Sequence, residues 1–148
     1  MREGEPEDSD GLPPNFNEAI QELTGIIALN PTSAFAHTHR GIALLESYKF
    51  ESAISDFQQV IELDPTNVEA YQTLSFAYEL NEDFENAILV LEDALEIAPE
   101  DPELYYSIGF IYDHLLNEIG IALEYYETYL ELAGEDAHPD WSTPSFLE

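Results

Sequence analysis

The chain has 148 residues, 45% of them apolar, which is enough for one domain with a packed core. Thirty-two acidic residues face three basic ones (Arg2, Arg40 and Lys49), for a formal net charge of -29. Neutralising phosphates or anionic lipid needs clustered Lys and Arg, so a nucleic-acid binder and a protein docked on an anionic membrane are both excluded. Cysteine is absent, which removes disulfides and thiol catalysis.

In chain order, residues 1–14 form an acidic stretch with Pro and Gly that is expected to be disordered. MREGEPEDSDG has no apolar h-region and no run is long enough to span a bilayer, so a cytoplasmic location is expected. Glu7-Asp8-Ser9-Asp10-Gly11 is a poor calcium loop, since Pro6 and Asn17 stand where its first and last ligands belong. Apolar periodicity then predicts seven helices: 15–28, 33–47, 50–63, 67–80, 84–97, 102–116 and 119–133. Thr66 and Glu69 have capping-box spacing, and Asp101 before Pro102 reads as an N-cap followed by a first-turn proline. Arg40 stands in an apolar pattern and is expected to pair with Glu18 or Glu22 of the first helix. Residues 134–148 contain two prolines and cannot form a long helix. Trp141, Phe146 and Leu147 of this tail would fold back as a lid or insert into a neighbour.

Three series of residues keep one interval of 34: Pro31, Pro65 and Pro99; Ala19, Ala53 and Ala87; Gly41, Ser75 and Gly109. Small residues at fixed places in amphipathic segments let two antiparallel helices approach closely. A proline ends one helix and fits the first turn of the next. The unit is therefore a helix hairpin, and the units stack. In the last unit the alanine is Ala122, one place late, which predicts an interhelical turn longer by one residue.

The pattern resembles the tetratricopeptide repeat. From Ala70 to Pro99, the residues Tyr71, Leu74, Ser75, Tyr78, Ala87, Leu91, Ala94 and Pro99 fall where that family places aromatic, apolar or small side chains. The resemblance implies an all-α, right-handed solenoid over residues 15–133: a capping helix at 15–28, then repeats at about 34–67, 68–101 and 102–133. Two departures stand out. Arg40 replaces an apolar residue, and Tyr129 replaces the smaller Val60 and Ala94, which is expected to close the array.

The same resemblance places the first helix of each hairpin on a concave groove. Groove positions are then Phe35, Thr38 and Ile42, followed by Gln72, Phe76 and Glu79, then Tyr106, Phe110 and Asp113. An apolar ladder between acidic margins suits another protein with hydrophobic anchors and basic flanks. Co-chaperone repeats of this family clamp a carboxylate with groove Lys, Arg and Asn. The corresponding Thr38, Ile42, Thr73, Phe76 and Tyr106 cannot do so. Leu89, Val90 and Tyr125 exceed one apolar stripe and form a candidate convex contact.

No catalytic, cofactor or metal site is expected. His37 and His39 point apart on a helix, and His114 has no histidine at helical spacing. Carboxylate pairs are what this acidity produces by composition. His138-Pro139-Asp140 matches the J-domain tripeptide but lacks a flanking helical bundle. The expected function is a protein-interaction module: an adaptor, assembly factor or chaperone. The alternatives are a scaffold that self-associates through the tail or convex patch, and an acidic chaperone of secretion translocators.

Overall fold

The computed structural model describes residues 15–134. The expectations for both tails, including the Trp141–Leu147 lid and the His138–Asp140 tripeptide, lie outside the described residues. Within them the chain forms α1 (Phe16–Leu29), α2 (Ala34–Glu46), α3 (Phe50–Leu63), α4 (Val68–Leu80), α5 (Phe84–Ile97), α6 (Pro102–Phe110) and α7 (Ile119–Ala133), with a π-helical turn at Ile111–Leu115 after α6. Each helix packs on its sequence neighbours, most closely in the pairs α2–α3, α4–α5 and α6–α7. These are three hairpins stacked in a row, with α1 lying against α2 as an unpaired half unit. No residue of α1 is buried, which fits an end position.

Starts and stops follow local chemistry. Ser33, Asn67, Asp83 and Asp101 each accept a backbone N–H of the first turn, at 3.0–3.3 Å. The cap of α4 is thus Asn67 and not Thr66, whose hydroxyl donates back to Asp64 Oδ1 at 2.8 Å. Asp101 and Pro102 cap α6 as predicted. Between the helices of each hairpin, one residue enters the left-handed region: Tyr48 (φ 59°), Glu82 (φ 58°) and Asn117 (φ 56°). The next N–H then reaches back into the preceding helix, Lys49 to Leu44 O, Asp83 to Tyr78 O and Glu118 to Tyr112 O.

The last of these bonds spans one residue more than the other two. The inserted residue therefore lies in the end of the first helix. An i→i+5 turn at Ile111–Leu115 takes it up, with Leu116 N–H bonding Ile111 O at 3.0 Å. The turn itself keeps its form, contrary to the expectation of a longer connection.

Between hairpins, a ring at one repeat position pins the proline carbonyl. Tyr71 donates its hydroxyl to Pro65 O (3.0 Å) and Tyr105 to Pro99 O (2.8 Å). His37 holds the same place in the first repeat, with Nε2 at 2.9 Å from Pro31 O. The close helix approach is a matched choice of sizes. Phe57 lies over Gly41 and Tyr126 over Gly109, where an added Cβ would meet the ring at under 3 Å. In the middle repeat Leu91 replaces the ring, and Ser75 is accommodated, its hydroxyl donating to Ala87 O at 2.9 Å. The core has two clusters, one around Leu44, Phe57 and Leu74 and one around Leu91, Leu104 and Ile108, and Tyr78 packs against both. Tyr129 is buried and packs against Tyr106, so its bulk is taken up inside the last hairpin.

Candidate binding surfaces

The groove positions come from one face of α2, α4 and α6, because residues three and four apart share a helix face. On α2, Phe35 and Ile42 are 66% and 43% exposed, and on α4 Phe76 is 52% exposed. Such large apolar side chains in solvent are what an unoccupied contact surface presents. Thr38 and Gln72 between them are half-buried. Phe35 lies edge-on to His39, one turn along, at 4.0 Å.

Along the array this face becomes more self-contained. Phe110 is half-buried and stacks on His114 at 4.3 Å. The Tyr106 ring packs against Tyr126 and Tyr129 of α7 at 5.8 and 5.4 Å. Asp113 accepts from Tyr126 Oη at 3.3 Å and lies 3.3 Å from His114 Nδ1. The apolar ladder is thus open over the first two hairpins and closed by aromatic packing in the third.

Glu79 marks the acidic margin of the open part. It is half-buried, and loss of solvation raises its carboxyl above the usual range. A carboxylate kept partly dry gains more from an incoming cation than an exposed one does.

The convex candidates separate. Leu89 projects into solvent, while Val90 is half-buried against the cluster of the first two hairpins. Tyr125 stacks on Tyr112 at 5.7 Å with planes 18° apart. Burial, foremost, and then the nearby Glu92 raise its phenol above the usual range. It belongs as much to the packing of the last hairpin as to the outer surface.

One polar cluster escaped the sequence reading. Asp56 of α3 is 3% exposed and accepts from Arg40 Nε (2.7 Å) and Nη2 (2.6 Å), with His37 Nδ1 at 3.0 Å. Arg40 also donates from Nη1 to Thr24 of α1 at 3.2 Å. The partner of Arg40 is therefore Asp56 and not Glu18 or Glu22. This pairing raises the guanidinium further above its ordinary range, so it stays charged. The cluster ties α1, α2 and α3 together. Its signal lay in the register: Tyr71, Leu74 and Val90 stand 34 places after His37, Arg40 and Asp56. Polar residues replace all three places at once, as a mutually satisfied set requires.

Among the described residues no three His, Asp or Glu side chains converge to hold a metal, and no helix is long and apolar enough to cross a membrane.

Stacked helix hairpins with an open apolar face on their first helices define a repeat solenoid built for protein contacts. Models of the tetratricopeptide repeat match residues 44–109 and 102–136, and the chain belongs to that family, with three full repeats after a half repeat. Solved structures share the architecture. A crystal structure of MamA is 29% identical over 82% of this chain and 71% of its own, with a TM-score of 0.72. A second MamA structure is 27% identical over 87% and 70%, again at 0.72. MamA from Desulfovibrio magneticus RS-1, from residue 41 to its end, is 22% identical over 83% and 69%, at 0.71. No curated protein matches the chain.

Proposed function

We propose that this protein is a non-enzymatic adaptor that holds a short segment of another protein in the groove of its first two hairpins. The segment carries apolar anchors and basic flanks. The observation that supports this reading is the row Phe35, Ile42 and Phe76, all exposed on neighbouring first helices, with the half-buried Glu79 beside it. Membership of a repeat family that serves protein contacts agrees with it. A basic flank also complements the net charge of -29. Assembly-factor and chaperone roles are particular uses of the same groove.

Selection of peptides from a random library on the immobilised protein tests the reading. Recovered sequences should combine aromatic or aliphatic anchors with Arg or Lys. Phe76→Ala should weaken a selected peptide by about 1–2 kcal/mol, as loss of a central anchor does, with the far-UV spectrum unchanged. Enrichment of acidic peptides, or an affinity indifferent to Phe76→Ala, would sink it.

A further inference from the structure

Away from the groove, α3 and α5 leave a crevice of about 470 Å³ between them, floored by α4. Tyr71 and Tyr78 of α4 line it together with Val90, and the exposed acids Glu62 and Asp93 border it from the two flanking helices. Gln58 Nε2 donates to Tyr78 Oη at 3.1 Å, with the amide oxygen remaining as an acceptor. The α4 residues involved, Tyr71 and Tyr78, lie on a different side of the helix from Phe76 and Glu79.

The repeat shows what this place holds elsewhere in the same molecule. Asp56 stands 34 residues before Val90, and Tyr125 stands 35 after it, the extra residue being the π insertion. In the first repeat Asp56 is met by the guanidinium of Arg40, at 2.6 and 2.7 Å. In the third, the Tyr125 ring lies on Tyr112, which occupies the place of Tyr78, and 6.5 Å from Tyr105, which occupies the place of Tyr71. In the third repeat the protein thus fills this position with a planar group of its own, while in the first Arg40 and Asp56 line a smaller crevice of about 330 Å³. In the middle repeat Val90 is too short to do so, and the crevice stays open.

A side chain that fits must be flat enough to lie on a phenol face and positive enough to satisfy Glu62 and Asp93. A guanidinium meets both requirements, since it stacks on aromatic faces and donates in plane to carboxylates. An ammonium lacks the plane, and a phenol lacks the charge. The chain has three basic residues, and Arg40 is committed to Asp56.

We propose that the crevice between α3 and α5 is a docking site for a single arginine side chain of a partner protein, separate from the groove. It does not depend on the groove reading. It gives the adaptor a second face, so that two segments can be held at once.

Nuclear magnetic resonance of protein labelled with 13C in its tyrosine rings tests this, with N-acetyl-arginine amide as the probe. N-acetyl-lysine amide and N-acetyl-tyrosine amide run in parallel. Saturable shifts confined to Tyr71 and Tyr78 are expected, with arginine bound about fivefold more tightly than lysine. Val90→Tyr, which copies Tyr125, should abolish them. The double substitution Glu62→Gln and Asp93→Asn should weaken them about tenfold, and this variant carries the test if Val90→Tyr does not fold. Phe76→Ala should leave them unchanged, which separates this site from the groove. The proposal is overturned by equal lysine shifts, by preference for the tyrosine probe, by shifts spread over Tyr48 and Tyr106, or by arginine shifts that survive in folded Val90→Tyr.

Discussion

The pairing of Phe57 with Gly41 offers a sharp test of how the hairpins close. A Cβ added at Gly41 would lie 2.6 Å from Phe57 Cε1 and 2.7 Å from Cζ. Carbon atoms settle at about 3.5–4.0 Å, so the ring would have to retreat by about 1 Å. Phe57 is fully buried within the cluster of Leu44, Ala53, Ile54 and Leu74 and has nowhere to go. Overpacking of this kind costs about 1–3 kcal/mol. Replacing a helical glycine with alanine returns about 1 kcal/mol of propensity. Gly41→Ala should therefore lose a net of up to about 2 kcal/mol. Phe57→Leu alone leaves a partial cavity over Gly41 and should lose a similar amount, about 1–2 kcal/mol. The double variant approaches the middle repeat, where Leu91 and the larger Ser75 hold the corresponding places in the register. Alanine and leucine then fit each other, and the combined loss should fall short of the sum by about 1–2 kcal/mol. Urea unfolding followed by circular dichroism at one m-value measures all three. A double variant within about 0.5 kcal/mol of additivity would refute the size-matching argument.

Other consequences can be measured in the same way. Asp56→Ala leaves the buried His37 and the half-buried Arg40 guanidinium without their carboxylate and should cost about 1–3 kcal/mol, with α1 released first; a loss under about 0.5 kcal/mol would show that the cluster is incidental. Glu79 has a folded-state pKa raised by burial, so the folded chain binds its proton more tightly than the unfolded one. Its contribution is favourable below the ordinary carboxyl range and is lost as pH rises through the raised value. Glu79→Gln should therefore stabilise the fold at neutral pH, and the gain should fade towards pH 4; a gain that grows on acidification contradicts the sign. Added sodium chloride should raise the melting temperature, because repulsion among 32 acids is screened within about 8–10 Å near physiological ionic strength. A flat or falling melting temperature would remove self-repulsion from the account.

The fold was legible because several independent markers share one period. Pro31, Ala19 and Gly41 each begin a series of that spacing, and each has a separate steric reason to recur. The groove was legible to the extent that register fixes which face a residue occupies. Register cannot say how far each side chain is covered. Hence Phe76 is open, while Phe110, its counterpart, is half-buried under a stack with His114. Arg40 is out of place in an apolar pattern, but its partner lies on α3 and not on the acidic helix nearest to it. Asp56 looked like one acid among many, and no local signal says that it is buried. Thr66 lost the capping role to Asn67 because both are competent caps one place apart, and only the backbone decides between them.

The π turn has a consequence for counting along this chain. One extra residue rotates whatever follows it by about 100° around a helix axis. A strict count of 34 would set Tyr125 over Gly109 and leave Tyr126 outside. The observed neighbour of Gly109 is chiefly Tyr126, while Tyr125 turns to Tyr112. The widened turn works as an expansion joint: the phase error enters at Ile111, and Asn117 restores the usual turn before α7 begins. The one extra residue is thus absorbed before α7, at the end of a first helix, and the next helix keeps its seat.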